Sequence, residues 1–173
     1  MDIKSALLEE HSRIQAERIV NFIGNDKQRF ADLMTLFFNN EYRVCQRAAW
    51  SVSIVAEKYP ELIAPYLEPM LLNLENPVHD AVKRNTVRIL KDIDPLPENL
   101  LGIAATQCFN LLATPSVAVA IKVFAMHILY KICLKEPDLK NELQLLIEDL
   151  MPHESKAFLS AGKAILKNLD KLK

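Results

Sequence analysis

LEPMLLNLENPVHDAVKRNTVRILKDI, residues Leu67 to Ile93, carries two apolar combs in succession. The first sets Leu67, Met70, Leu71 and Leu74 at spacings of 3-1-3; the second sets Val82, Thr86, Ile89 and Ile93 at 4-3-4. Both spacings draw one stripe along a helix of about 3.6 residues per turn, whereas a half-buried strand would need strict alternation. The stretch therefore predicts two short helices, each with one apolar face, joined by a turn at Glu75-Asn76-Pro77.

The pair of combs recurs on either side of this segment. The first comb, which marks the A helices, returns as Phe30-Leu33-Met34-Phe37, Ala104-Gln107-Cys108-Leu111 and Leu143-Leu146-Ile147-Leu150. The second, marking the B helices, returns as Cys45-Ala49-Val52-Ala56, Ile121-Ala125-Ile128-Ile132 and Phe158-Gly162-Ile165-Leu169. From the last A position to the first B position the gaps are 8, 8, 10 and 8 residues, and from B to the next A the gap is 11 each time. Such constancy is what stacked helix pairs demand, because each pair buries its stripes only by repeating its neighbour's geometry. The two extra residues of the third pair fall around Thr114-Pro115-Ser116, in a turn. One domain over 1–173 is expected, with repeats at about 26–58, 60–94, 97–135 and 138–172. Residues 1–23 fall outside the template, but Ala16-Ile19-Val20-Ile23 offers a helical stripe suited to a capping helix, and Gly24-Asn25-Asp26 reads as a stop and restart. Prolines fall at the joints, except Pro65 and Pro69, which lie inside the second A helix and are expected to bend it.

The run Tyr66-Leu67-Glu68-Pro69-Met70-Leu71-Leu72-Asn73-Leu74-Glu75-Asn76-Pro77, followed by Ala81-Val82-Lys83-Arg84, resembles a HEAT repeat. That family has a proline-bent A helix, Asp or Asn at the turn, and Val-Arg or Val-Lys in the B helix. Ile121-Lys122 is similar to the last feature, whereas Cys45-Gln46 and Phe158-Leu159 depart from it. The resemblance implies an all-α, right-handed superhelix of about four helix pairs whose B helices line a concave face. It also implies a non-enzymatic scaffold that binds partners on a curved surface.

Composition agrees with packed helices: half the residues are hydrophobic, a quarter are charged, and only 3 are glycine. The most apolar window, Val117 to Leu134, is interrupted by Lys122, His127 and Lys131, so no membrane span is expected. The N-terminus lacks the pattern of a secretory signal, which makes a cytoplasmic location the expectation. Cys45, Cys108 and Cys133 are far apart and lie among or beside comb positions, as buried thiols do. His11, His79, His127 and His153 are dispersed over separate segments, and no phosphate loop or paired-cysteine motif occurs, so neither metal nor cofactor is expected.

Charge is divided between the two helix sets. The A spans 26–38, 60–74, 97–113 and 138–151 hold 3 Lys+Arg against 9 Asp+Glu, and the B spans 40–58, 77–94, 116–135 and 154–172 hold 14 against 7. The difference, −6 against +7, arises in a chain of formal charge −1. A basic B face would attract an acidic peptide or a phosphate backbone. The candidate partner-binding residues are Arg47, Trp50, Lys83, Arg84, Arg88, Lys91, Lys122 and Lys163, with Lys167 and Tyr130 nearby on the same helices. A second reading competes: Lys83 and Lys122 as internal struts between repeats, and Trp50 packed against the next B helix. Nucleic-acid binding on the same face is the alternative function. It extends to the HEAT-like DNA glycosylases, in which Arg47 and Trp50 with Asp80 or Asp92 would hold the damaged nucleotide. The sequence leaves partner identity and oligomeric state open.

Overall fold

The computed structural model describes residues 1–172, and every regular element among them is helical. The N-terminal segment forms α1 (Ile3–Glu9) and α2 (Arg13–Ile23), so the stripe Ala16-Ile19-Val20-Ile23 lies on α2 and a further short helix precedes it. Three helix starts here are capped by side chains. Asp2 accepts from the Ser5 N–H, Ser12 from the Gln15 N–H, and Asp26 from the N–H groups of Gln28 and Arg29, filling donors that a first turn otherwise leaves unpaired. Gly24 ends α2 at φ 52°, a conformation open to a residue without Cβ, and donates to the Val20 carbonyl.

The A combs lie on α3 (Lys27–Phe37), on the broken second helix, on α8 (Leu101–Ala113) and on α10 (Lys140–Leu150); the B combs lie on α4 (Tyr42–Lys58), α7 (Asp80–Asp92), α9 (Val119–Cys133) and α11 (Lys156–Leu169). Leu74 and Ile93, the last teeth of their combs, fall one residue past the second A helix and α7. All the comb positions are buried except Ile93, Leu146 and Leu150, which are half-buried. The second A helix is interrupted: α5 (Pro60–Ile63) gives way to a 3-10 turn at Ala64–Tyr66 and resumes as α6 (Leu67–Asn73). Pro65 and Pro69 lack N–H donors and stand exposed on the outer side, while Leu62, Ile63, Leu67, Met70 and Leu71 stay buried on the inner side.

The chain divides into two compact units, Met1–Ile89 and Leu90–Lys173, with the division inside α7. In the first, α4 packs against α1, α2, α3 and α5. Its core includes Leu7, Ile19, Phe30, Leu33, Val44, Val52 and Val55, and Phe30 meets the Tyr66 ring edge-on at 5.5 Å. In the second, α9 packs against α8, α10 and α11 around Cys108, Leu112, Met126, Leu129, Leu143 and Phe158. Gly162 is what lets α11 approach α10, since a Cβ there would lie 3.1 Å from Cγ2 of Ile147. Cys45, Cys108 and Cys133 are free, buried thiols.

Candidate functional site

The B-helix cations separate into two groups by what surrounds them. Lys122, on α9, is 1% exposed, and its ammonium lies 2.5 Å from Oε1 of Glu154, just ahead of α11. A buried ammonium is tolerated only when a counter-ion and hydrogen bonds replace its water. Lys122 is therefore a strut holding α9 to the start of α11 and cannot meet a partner, which corrects its place among the candidate contacts. Arg47, on α4, is half-buried and donates from Nη1 to the Leu7 carbonyl at 2.7 Å. Gln15 Nε2 donates to the neighbouring Ala6 carbonyl at 2.6 Å, so two carbonyls that α1 cannot satisfy internally are bonded by side chains of later helices.

Lys131, which sequence reasoning did not single out, does for α7 what Arg47 does for α1. Its ammonium donates to the Lys91 carbonyl at 2.9 Å and to the Ile93 carbonyl, at the C-terminal end where helix dipoles favour a cation. Burial pushes its pKa down, with Asp94 and Asp92 opposing and Lys91 assisting. Both struts span 40 residues of sequence, close to one repeat. The signal that could have found them is a cation one repeat downstream of a helix end. Glu154, the partner of Lys122, gave no such signal, because 32 residues separate the two.

Trp50 is half-buried against the His11 ring, centroids 5.5 Å apart, so it packs on the turn between α1 and α2. Where Arg47, Trp50, His11 and the unpartnered hydroxyl of Ser51 meet, the cavity is about 10 Å³, room for about one water molecule and far too small for a nucleobase. Asp80 and Asp92 are likewise engaged in pairs, with Lys83 at 3.8 Å and Lys91 at 2.5 Å. Lys83 is half-buried, and Lys91 lies 5.7 Å from the centre of the Phe124 ring.

The other group faces water. Arg84 and Arg88 are exposed one turn apart on α7, and Lys163 and Lys167 are exposed one turn apart on α11. None of the four forms an ion pair among the described residues. Arg43, absent from the sequence-based candidates, is exposed on α4 one turn before Arg47. Tyr130 is half-buried.

The model of the HEAT repeat domain family matches residues 3–169, nearly the whole chain, including both helices before the first A helix. The chain belongs to the HEAT repeat family. The family match covers all four comb pairs, including the two whose B helices lack the Val-Lys pattern. HEAT repeats commonly mediate protein interactions, and the match names no partner. No curated protein and no solved structure matches this chain. No helix among the described residues is long and apolar enough to cross a membrane.

Proposed function

We propose that this HEAT repeat chain is a non-enzymatic scaffold that docks an acidic partner segment on the outward rows of its B helices. One observation carries the reading: the exposed pairs Arg84/Arg88 and Lys163/Lys167 set like charges one helical turn apart, with no carboxylate among the described residues bonded to them. Same-sign neighbours at i,i+4 weaken a helix by about 0.2–0.5 kcal/mol per pair; the dipole of α11 offsets this for Lys167, which stands in its last turn, but Arg84 and Arg88 stand ahead of the last turn of α7 and have no such offset. A carboxylate-rich segment lying along α7 or α11 would remove that repulsion and gain charge-assisted hydrogen bonds, the arginines offering two-pronged donors. Lys83 and Lys91 flank the arginine pair on α7, and Lys163 anchors its counterpart on α11. Arg47, Trp50 and Lys122 are left out because they are occupied within the fold.

The reading is tested by fluorescence anisotropy with a labelled amphipathic peptide rich in Glu and Leu, alongside a labelled DNA duplex and a single strand. Binding of the peptide, weakened tenfold or more by the double change Arg84→Glu/Arg88→Glu or by Lys163→Glu/Lys167→Glu, is the expected result. Tight binding of either DNA, with an affinity falling steeply as salt rises, would replace the acidic-peptide reading with a phosphate-backbone one. No binding of peptide or DNA at low salt would remove both.

A further inference from the structure

The second unit carries a groove that, of the B-set cations, only Lys135 touches. It runs between the first turns of α8 and the C-terminal end of α9 with the turn that follows, and it has a volume of about 410 Å³, within the range of about 300–1,000 Å³ typical of ligand sites. Its floor is Leu101, Ala105, Ile132 and Leu139, all apolar. Charged groups stand only on the rim, where Glu98 and Glu136 are exposed and form no ion pair among the described residues; Lys135 on the same rim offsets one of them.

Gly102 faces this groove from the first turn of α8. A glycine in the middle of a helix costs about 0.5–1 kcal/mol relative to alanine, and one in the first turn still offers no side chain to pack. Gly162 has a packing reason, because a Cβ there would press on Ile147. Gly102 has none: its φ is not positive, and a Cβ would meet no atom within 4 Å. The space beside it is open, so a long side chain at this position would reach over the apolar floor that glycine leaves clear.

We infer that this groove is a second docking site, which takes a partner segment carrying a branched aliphatic side chain next to a cation. The aliphatic group covers Leu101, Ala105, Ile132 and Leu139, the place beside Gly102 stays clear for it, and the cation lies against Glu98 and Glu136. A polar metabolite fits less well, since the floor offers no polar side chain to orient it. The site takes the opposite charge from the one proposed for the B helices, and it stands or falls independently of that reading.

The test uses the full chain labelled with 15N and three short capped peptides: one with an Arg-Leu-Leu-Arg core, one with Glu-Leu-Leu-Glu, and one with Arg-Gly-Gly-Arg. The first is expected to shift the amide signals of Gly102, Ala105 and Leu139 and to do so in Arg84→Glu/Arg88→Glu as in the parent; the other two are expected to leave them in place. Gly102→Leu fills the groove and lowers affinity for the first peptide about tenfold or more, equivalent to about 1.4 kcal/mol, while its melting curve shows the fold retained. Gly102→Ala serves as the milder control, expected to raise the melting temperature. Glu98→Lys/Glu136→Lys weakens the same peptide without perturbing the fold. Absence of shifts at millimolar peptide, equal shifts from the acidic peptide, or unchanged affinity in Gly102→Leu would each overturn the inference.

Discussion

At Lys122 the chain takes a charge out of water and replaces the hydration with one carboxylate. Removing that partner should be far worse than removing the pair. Glu154→Leu leaves an unmatched buried ammonium and is expected to cost about 3–5 kcal/mol in chemical denaturation, whereas Lys122→Met/Glu154→Leu should recover much of the loss. Ser51 and Thr86 show the opposite case, buried hydroxyls without a hydrogen-bond partner among the described residues. Thr86→Val keeps the shape and removes the unpaired group, so it should stabilise by about 1 kcal/mol in the same measurement. Histidine sets the acid limb. Burial holds the pKa of His127 below its ordinary value of 6.5, with the Lys91 ammonium acting the same way. Burial also lowers that of His79, whose Nδ1 accepts from the Ala81 N–H and so needs the neutral ring. The unfolded chain then binds more protons than the folded one as pH falls below about 6.5, and the stability present above that value is lost as pH falls through the lowered folded values. Melting temperature should therefore drop from about pH 7.5 to about pH 5.5, and His79→Gln/His127→Gln should flatten the drop. None of this could be read from residue identity. A lysine in the Val-Lys position fits a strut or a contact equally well, and only the burial of Lys122 and the nearness of Glu154 decide between them.

At the scale of single helices the spacing rules were almost sufficient. The combs found each of the eight repeat helices, because an apolar stripe of period 3.6 has no other economical way to leave water. Pro65 and Pro69 located the break in the second A helix for a covalent reason: neither ring nitrogen can donate. The helix starts were less legible. Side-chain caps at Asp2, Ser12 and Asp26 serve the first three helices, but α8 and α10 begin through 3-10 turns at Glu98–Leu100 and Pro137–Leu139, whose lead-in residues carry no capping hydrogen bond. Gly162, a position of the fourth B comb, gains its meaning only in three dimensions, as the contact point of α10 and α11. Gly162→Leu should push these helices apart and cost about 1–3 kcal/mol in thermal or urea unfolding, while Gly102→Leu, placed in open space, should cost little.

Across the whole molecule there are two compact units, each packed around one helix, α4 in the first and α9 in the second, so damage to one core should be felt mainly within its own unit. Leu129→Ala, in the buried centre of α9, is expected to raise native-state hydrogen exchange most in α8 through α11 and least in α1 through α4. Uniform acceleration in all helices would instead mean that the chain opens as one block. The charge division between A and B helices was visible in composition, but its meaning was not. A tally of lysines and arginines cannot distinguish Lys122, Arg47 and Lys131, consumed in holding helices together, from Arg84, Arg88, Lys163 and Lys167, which face water. The interrupted second A helix has its own bearing on assembly. With two prolines within five positions and neither half longer than seven residues, it is too short to persist as an isolated coil, so its order is borrowed from the neighbours it leans on. During synthesis that stretch must therefore wait for the helices it leans on, α4 among them, before it can settle.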